Sequence, residues 1–136
     1  IEMLGQVKRS FDHLDMYNRV DIALDSFPYH GTTTTCESLL MGVPVVTLEG
    51  RTHHARVGVS LLSAVGVPEL IARTPEQYVD LAVELAQSPK RLVDYRSNLR
   101  ARLEASPLMD EQGFARRFEA LLRGVWREYC QRAIKS

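Results

Sequence analysis

Cysteine is scarce in this chain of 136 residues, which has only Cys36 and Cys130, in no Cys-x-x-Cys or histidine-rich spacing. Disulfide frameworks and structural zinc sites need several cysteines at close, regular spacings. The sequence therefore argues against both kinds of stabilisation. A reducing, cytoplasmic setting is the location that we expect.

Long apolar runs and net charge are missing as well. No stretch reaches the roughly 18 unbroken apolar residues that a membrane-spanning helix needs, and 17 basic side chains balance 17 acidic ones. A neutral chain offers no overall field to attract a polyanion or a bilayer, so we expect neither a nucleic-acid nor a membrane partner. A hydrophobic content of 45% instead predicts a globular domain or part of one.

Short apolar runs rich in β-branched residues alternate with segments of helical periodicity in the first half of the chain. The predicted strands are 2–7, 21–25, 43–48 and 69–72, and the predicted helices between them are 14–20, 35–41 and 56–65. Strands separated by single helices pair in parallel through right-handed crossovers. The predicted fold class is therefore α/β, with a Rossmann-like parallel sheet over residues 1–73.

The second part, residues 74–136, is predicted to be helical only. Helices are expected from Pro75, over about 90–105 and over about 111–132. The last has a broad apolar face, formed by Phe114, Phe118, Leu121, Leu122, Val125, Trp126 and Tyr129. Any part of this face left uncovered should dock on a partner domain. Because the chain opens directly with a strand-like segment and no initiator Met, we expect it to be cut from a longer polypeptide.

Charge is uneven along this layout. Residues 1–90 contain 7 basic and 11 acidic side chains, whereas residues 91–136 contain 10 basic and 6 acidic ones. Solvated helix faces are the simplest explanation. The alternative is a basic carboxyl-terminal part that faces a phosphate-bearing ligand or an acidic neighbouring domain.

The most unusual segment, residues 25–37, joins the end of a predicted strand to the start of a helix and contains four consecutive threonines. Parallel sheets bind ligands at this edge, where the first turn of the next helix presents unpaired N–H groups. Gly31 permits close approach, and the hydroxyls add donors, so the segment predicts a diphosphate site. It lacks the lysine of a P-loop and the G-x-G-x-x-G fingerprint.

A simpler interpretation of the same segment is a capping box, in which Thr34 and Glu37 bond each other's backbone amides. One threonine suffices for a cap, so four poor helix formers in a row favour the phosphate interpretation. His13, in the opening turn of the first predicted helix, is either a surface residue or a ring that stacks on a nucleobase. We predict no metal at His53-His54, because adjacent positions do not converge on one ion.

Taken together, the motifs resemble the carboxyl-terminal region of the O-linked N-acetylglucosamine transferase and SPINDLY family of glycosyltransferases. The resemblance covers nearly the whole chain. The residues that carry it are His13-Leu14, Tyr17, Asp21 to Tyr29, Gly31 to Thr35, Glu37 to Leu39, Met41 to Thr47, Gly50, Arg56-Val57, Glu69 to Ala72 and Ser106 to Leu108.

This resemblance implies the second half-domain of a GT-B enzyme, usually preceded by tetratricopeptide repeats. It implies that backbone groups at Lys8 read the donor base, that His13 stacks on that base and that Glu37 bonds the ribose. Thr32, Thr33 and Thr34, beside Gly31, would lie against the diphosphate. Animal family members have His at the place of Thr32 and Asp at that of Glu37, and a donor-contacting Lys where this chain has Ser10. These differences bear on which donor is bound, because family members differ between UDP-GlcNAc and GDP-fucose. We expect UDP-GlcNAc, with GDP-fucose as the other candidate.

The activity implied is inverting, metal-independent transfer of a GlcNAc-like sugar to protein Ser and Thr hydroxyls, without a cofactor. The family's diphosphate-binding lysine and acceptor-side catalytic groups lie upstream of Ile1. We therefore expect no catalytic residue in this chain, no activity from it alone, and an amino-terminal catalytic domain docked on the last helix. Two alternatives stay open: another GT-B or sugar-nucleotide epimerase relative, and a non-enzymatic interaction module on the same fold.

Overall fold

The computed structural model describes residue 5 and residues 9–134. Within this part of the chain, three parallel strands form one sheet in the order β1 (Ala23–Leu24), β2 (Val45–Leu48) and β3 (Ile71–Ala72). Ala23 pairs with Val45, and Thr47 pairs with Ile71. The predicted α/β fold with a parallel sheet is confirmed. The strand predicted over 2–7 lies outside the described residues, Gly5 aside, and so does Lys8.

Helices connect the strands and make up the carboxyl-terminal part. They are α1 (Ser10–Asp15), α2 (Thr33–Leu40), α3 (Val57–Val65), α4 (Pro75–Ala86), α5 (Pro89–Glu104) and α6 (Glu111–Ile134), with short 3₁₀ segments at Met16–Arg19, His53–Ala55 and Pro68–Leu70. The prediction of one helix over 14–20 was wrong, because α1 begins at Ser10 and the chain tightens into a 3₁₀ turn from Met16. The predicted helix at 35–41 begins two residues earlier than expected, at Thr33.

One hydrophobic core lies between the sheet and the helices. It includes Val46 of β2 together with Leu39, Leu62, Leu85 and Leu99 from the four helices α2 to α5, all fully buried. Helices α4 and α5 therefore share a core with the sheet. The division of the chain at residues 73 and 74 stays a prediction.

Arg96 of α5 connects the carboxyl-terminal helices to the first part of the chain through hydrogen bonds. Its guanidinium donates hydrogen bonds to the carbonyl oxygens of Met41, at 2.8 Å, and Tyr17, at 3.3 Å, and also to that of Val20. The backbone of α5 also packs closely against the turn after α2. A Cβ on Gly42 would lie 2.6 Å from the Arg96 carbonyl oxygen. The end of α2 and the segment after α1 are thus held in place by α5.

Helix α6 has the broad apolar face expected from the sequence, and the described residues do not cover it. Its seven large apolar side chains are between 49% (Phe118) and 64% (Trp126 and Tyr129) exposed. Phe114 stacks on Phe118, with ring centroids 5.9 Å apart, and Trp126 stacks on Tyr129 at 5.7 Å. These side chains pack along α6 itself, which leaves their outer surface open to a partner.

Two glycines at helix ends allow a direct test of how tightly α5 packs on the turn after α2. Gly42 and Gly66 have φ of +75° and +76°, but a Cβ on Gly66 would meet nothing within 4 Å. Gly66→Ala should lower the free energy of unfolding by about 1 kcal/mol through backbone strain alone. Gly42→Ala should cost about 3 kcal/mol, because the clash with α5 adds to that strain. Equal losses in urea unfolding would show that α5 does not pack tightly on this turn.

Candidate functional site

The candidate site lies at the carboxyl edge of the sheet, where β1 ends and α2 begins. A cavity of about 260 Å³ opens there. Its lining residues are Tyr17, Ala23, Leu24, Asp25, Ser26, Gly31, Thr34, Thr35, Ser38 and Val45. Parallel sheets place ligands at this edge, so the cavity stands where the sequence predicts a binding site.

The threonine run forms the start of α2. Thr32, Thr33 and Thr34 are exposed, whereas Thr35 is buried and its hydroxyl donates to the Gly31 carbonyl oxygen at 3.0 Å. The first helical bond runs from the Cys36 N–H to the Thr32 carbonyl oxygen, so the amides of the first turn have no acceptor within the helix. Exposed hydroxyls beside such amides, at the positive end of the helix dipole, are suited to bind an anion.

The structure contradicts the capping box suggested for Thr34 and Glu37. Helix α2 begins at Thr33, with Thr32 in the N-cap position and without a side-chain capping bond. Thr34 therefore lies inside the first turn. The Glu37 carboxylate turns away from the start of the helix, toward His13 and Tyr17.

His13, Tyr17 and Glu37 form a polar cluster beside the threonine run. Nε2 of His13 lies 3.1 Å from Oε2 of Glu37, and the Tyr17 hydroxyl donates to the same oxygen at 3.3 Å. The His13 and Tyr17 rings meet edge to face, with centroids 5.7 Å apart. Burial, and then the charge of Glu37, raise the pKa of Tyr17, so its hydroxyl stays a donor. The His13 side chain is 41% exposed, which leaves its ring accessible to a ligand.

Gly31 packs closely against hydroxyls of its own loop. A Cβ at this position would lie 2.5 Å from Oγ1 of Thr34 and 3.0 Å from Oγ1 of Thr35. The missing side chain therefore permits close packing within the loop, and the close approach of a ligand to Gly31 stays a prediction. Its N–H donates to Oδ1 of Asp25 at 2.8 Å, which ties the start of α2 to the end of β1.

Three residues of this region were not among the predicted site residues. Tyr17 lies four positions after His13, a spacing that brings two side chains together on a helical turn, so its contact was open to prediction. Asp25 and His30 are buried anchors of the loop. Their hydrogen-bond partners come from β2 and α3, and no local motif indicates such contacts.

The predicted site residues separate into three groups in the structure. Gly31, Thr32, Thr33 and Thr34 lie together at the start of α2, and His13 and Glu37 meet beside them. Lys8 falls outside the described residues.

No metal is predicted at the adjacent histidines His53 and His54. His54 stacks on Tyr29, with ring centroids 5.6 Å apart. Across residues 9–134, no three His, Cys, Asp or Glu side chains converge as a metal-binding group.

Comparison with known proteins defines the class to which this fold and site belong. Residues 3–118 match the profile described as "Glycosyl transferase family 41". The chain therefore belongs to glycosyl transferase family 41, and its resemblance to the O-linked N-acetylglucosamine transferase and SPINDLY family is confirmed. Within the described part of the chain, no helix is both long enough and apolar enough to cross a bilayer.

Relatives in this family are similar over nearly the whole chain. It is 45% identical to the "Probable UDP-N-acetylglucosamine--peptide N-acetylglucosaminyltransferase SPINDLY" of Solanum lycopersicum, over all of this chain and 15% of that protein. It is 33% identical to the UDP-N-acetylglucosamine--peptide N-acetylglucosaminyltransferase of Caenorhabditis elegans, over 93% of this chain and 11% of that one. The chain thus spans a small part of the length of these relatives.

A solved structure has the same fold. A mutant of the O-GlcNAc transferase of Thermobaculum terrenum superposes with a TM-score of 0.88 at 42% identity, over 97% of this chain and 25% of that chain. The sheet and helices described above therefore correspond to one quarter of a longer glycosyltransferase chain.

Three partly or fully buried tyrosines predict how stability responds to alkali. Burial is the first cause that raises the pKa of Tyr17, Tyr78 and Tyr95 above 10.0. Because these pKa values are higher in the folded than in the unfolded chain, the protonated hydroxyls favour folding. The free energy of unfolding should fall as the pH rises through and above about 10. Phenolate absorbance and urea unfolding measure this, and Tyr17→Phe should make the fall shallower; an unchanged slope would contradict the Tyr17 assignment.

Proposed function

We propose that this chain is the donor-binding, carboxyl-terminal part of a glycosyltransferase that transfers a GlcNAc-like sugar from a nucleoside-diphosphate donor to protein Ser and Thr hydroxyls. The observation that supports it most directly is the group of exposed threonine hydroxyls and free amides at the start of α2, beside His13 and Glu37. Family membership and the names of the relatives agree with this chemistry.

In this proposal, the start of α2 binds the diphosphate. The hydroxyls of Thr32, Thr33 and Thr34 and the first-turn amides donate to its oxygens, and the helix dipole favours its charge. When the bond to the sugar breaks, negative charge grows on the leaving diphosphate. Fixed donors stabilise that charge, with a contribution of about 2–4 kcal/mol each. Gly31 allows the hydroxyls of Thr34 and Thr35 to pack at the base of this group.

The cluster beside α2 is proposed to hold the nucleoside. The half-exposed His13 ring would stack on the base, and Glu37 would accept hydrogen bonds from the ribose hydroxyls. Tyr17 holds the Glu37 carboxylate in place through Oε2. The backbone at Lys8, which lies outside the described residues, would read the edge of the base.

Transfer itself is assigned to the longer protein. The family resemblance implies that the diphosphate-binding lysine and the acceptor-side groups lie upstream of Ile1, and that the reaction is inverting and metal-independent. No catalytic residue is assigned in this chain. Because each missing donor costs about 2–4 kcal/mol of barrier, we propose that the chain alone does not transfer sugar. An upstream array of tetratricopeptide repeats and a cytoplasmic location are further parts of the proposal.

The proposed partner of α6 is the amino-terminal catalytic domain. Seven large apolar side chains, each about half or more exposed, form a face that a folded protein rarely leaves in water. The chain spans only 15% of its SPINDLY relatives, so the longer protein has ample chain to cover this face. A non-enzymatic interaction module would use the same face, and it would differ by having no affinity for a nucleotide sugar.

The diphosphate assignment can be tested in the full-length protein with Thr33→Val and Thr34→Val. Each variant keeps the shape of the side chain and removes one donor, so we expect donor affinity to fall about tenfold per substitution. Calorimetric titration with UDP-GlcNAc and with GDP-fucose measures this, and the tighter ligand identifies the donor.

Thr52→Val is the matched control, because Thr52 is an exposed threonine on the loop after β2. It should bind the donor as the wild type does. If the double variant Thr33→Val, Thr34→Val binds both nucleotide sugars as tightly as the wild type, the diphosphate does not lie at α2.

Docking on α6 predicts a difference between two exposed apolar positions. Leu121, on the apolar face of α6, is 63% exposed, and Val93 of α5 is 66% exposed. In the full-length protein, Leu121→Asp should lower stability by about 2 kcal/mol, because it buries a charge in the interface. Val93→Asp should change it by less than about 0.5 kcal/mol. Thermal unfolding compares the two, and equal small effects would exclude α6 as the interface.

A further inference from the structure

His30 is a buried imidazole that the proposed donor contacts do not use. Its side chain is fully enclosed at the base of the loop that leads into α2. Nδ1 accepts a hydrogen bond from the N–H of Gly58 at 3.0 Å, and Nε2 lies 3.0 Å from the carbonyl oxygen of Leu48. A carbonyl oxygen only accepts, so the ring hydrogen is on Nε2 and Nδ1 is free to accept. Its two partners therefore define one tautomer.

The backbone around His30 is fixed on both sides. The His30 N–H donates to the carbonyl oxygen of His54 at 3.0 Å, and the next N–H, of Gly31, donates to Oδ1 of Asp25. The Gly31 carbonyl oxygen accepts from the Thr35 hydroxyl inside α2. A displacement of the His30 ring would therefore also displace the first turn of α2.

The residues around the His30 ring are packed too tightly for the ring to adopt a second orientation. Oδ2 of Asp25 accepts from the Thr47 hydroxyl at 2.7 Å and lies 3.5 Å from Nδ1 of His30. A Cβ on Gly58 would lie 2.5 Å from Oγ1 of Thr47 and 2.6 Å from Oδ2 of Asp25. Within residues 9–134, no buried side-chain nitrogen or oxygen is without a hydrogen-bond partner. The cluster is therefore fully bonded and tightly packed.

We propose that His30 is a positioning residue of the donor site: its ring joins the first turn of α3 to the threonine loop and orients the amides of α2 toward the diphosphate. This inference rests on the proposed function. An apolar side chain of similar size would fill the same space, but it would leave the Gly58 N–H and the Leu48 carbonyl oxygen without their partner. Small displacements of fixed donors are costly for binding an anion and for catalysis.

Three substitutions in the full-length protein separate the two ring nitrogens. In His30→Asn the amide group occupies the place of Nδ1 and can accept from Gly58, whereas in His30→Gln it reaches the place of Nε2 and can donate to Leu48. His30→Leu keeps the volume and neither bond. We expect His30→Asn to bind UDP-GlcNAc, or GDP-fucose if that is the donor, within about threefold of wild type. His30→Gln and His30→Leu should bind about tenfold or more weakly.

A core variant distinguishes positioning from simple loss of stability. Leu70→Ala lies in the 3₁₀ turn before β3 and removes a fully buried side chain, so it should lower the melting temperature at least as much as the His30 variants. Its donor affinity should stay at the wild-type value. Weakened donor binding in His30→Leu, without weakening in Leu70→Ala, is the result expected of a positioning residue.

Each other outcome is decisive. If His30→Leu binds the donor like the wild type while the Thr33 and Thr34 variants do not, His30 has no positioning role and the proposed function stands. If the threonine variants also bind normally, the proposed function fails and this inference fails with it. If His30→Leu does not fold, the Asn and Gln variants decide, and equal affinities of these two overturn the inference.

Discussion

The carboxylate of Asp25 is the constraint on which the arrangement of the site depends. A buried carboxylate is stable only when hydrogen bonds replace its lost hydration, and this one receives them from the Gly31 N–H and the Thr47 hydroxyl. The first donor belongs to the loop before α2 and the second to β2. The Tyr78 hydroxyl of α4 donates to the Asp25 carbonyl oxygen at 2.9 Å. One residue at the end of β1 thus fixes a loop, a neighbouring strand and a helix together.

A second constraint acts from outside the site. Arg96 provides no surface to the candidate cavity, yet its guanidinium holds the carbonyl oxygens of Tyr17 and Val20 on one segment and of Met41 on another. The first segment carries the Tyr17 hydroxyl, and the second ends the helix that carries Glu37. Since arginine remains charged and donates in fixed directions, α5 sets the distance between the Tyr17 segment and the end of α2. The helical part and the sheet therefore build the proposed nucleoside pocket jointly.

Periodicity and composition sufficed for the fold class, the parallel strands and the place of the threonine loop, because these follow from local patterns of apolar residues. The start of α2 did not follow, since a run of four threonines offers several equivalent cap positions and the local pattern cannot choose between them. A tertiary contact directs the Glu37 side chain away from the start of α2, because Glu37 pairs with His13, which is 24 positions away. The burial of His30 was likewise beyond prediction, because its partners, Leu48 and Gly58, are backbone groups on other elements.

The apolar face of α6 bears on how the longer protein could be held together. Full burial of a large apolar side chain is worth about 1.5–3 kcal/mol, so covering even a few of these seven would stabilise an interface by an amount comparable to the stability of a small domain. Such an interface would be more apolar than most contacts between domains of one chain, which favours a lasting attachment over transient contact. The polar donors at α2 contribute little to such attachment, since their value lies in being open to a ligand. In the proposed enzyme, cohesion and donor binding are therefore assigned to different elements, and substitutions on α6 and at α2 should act independently.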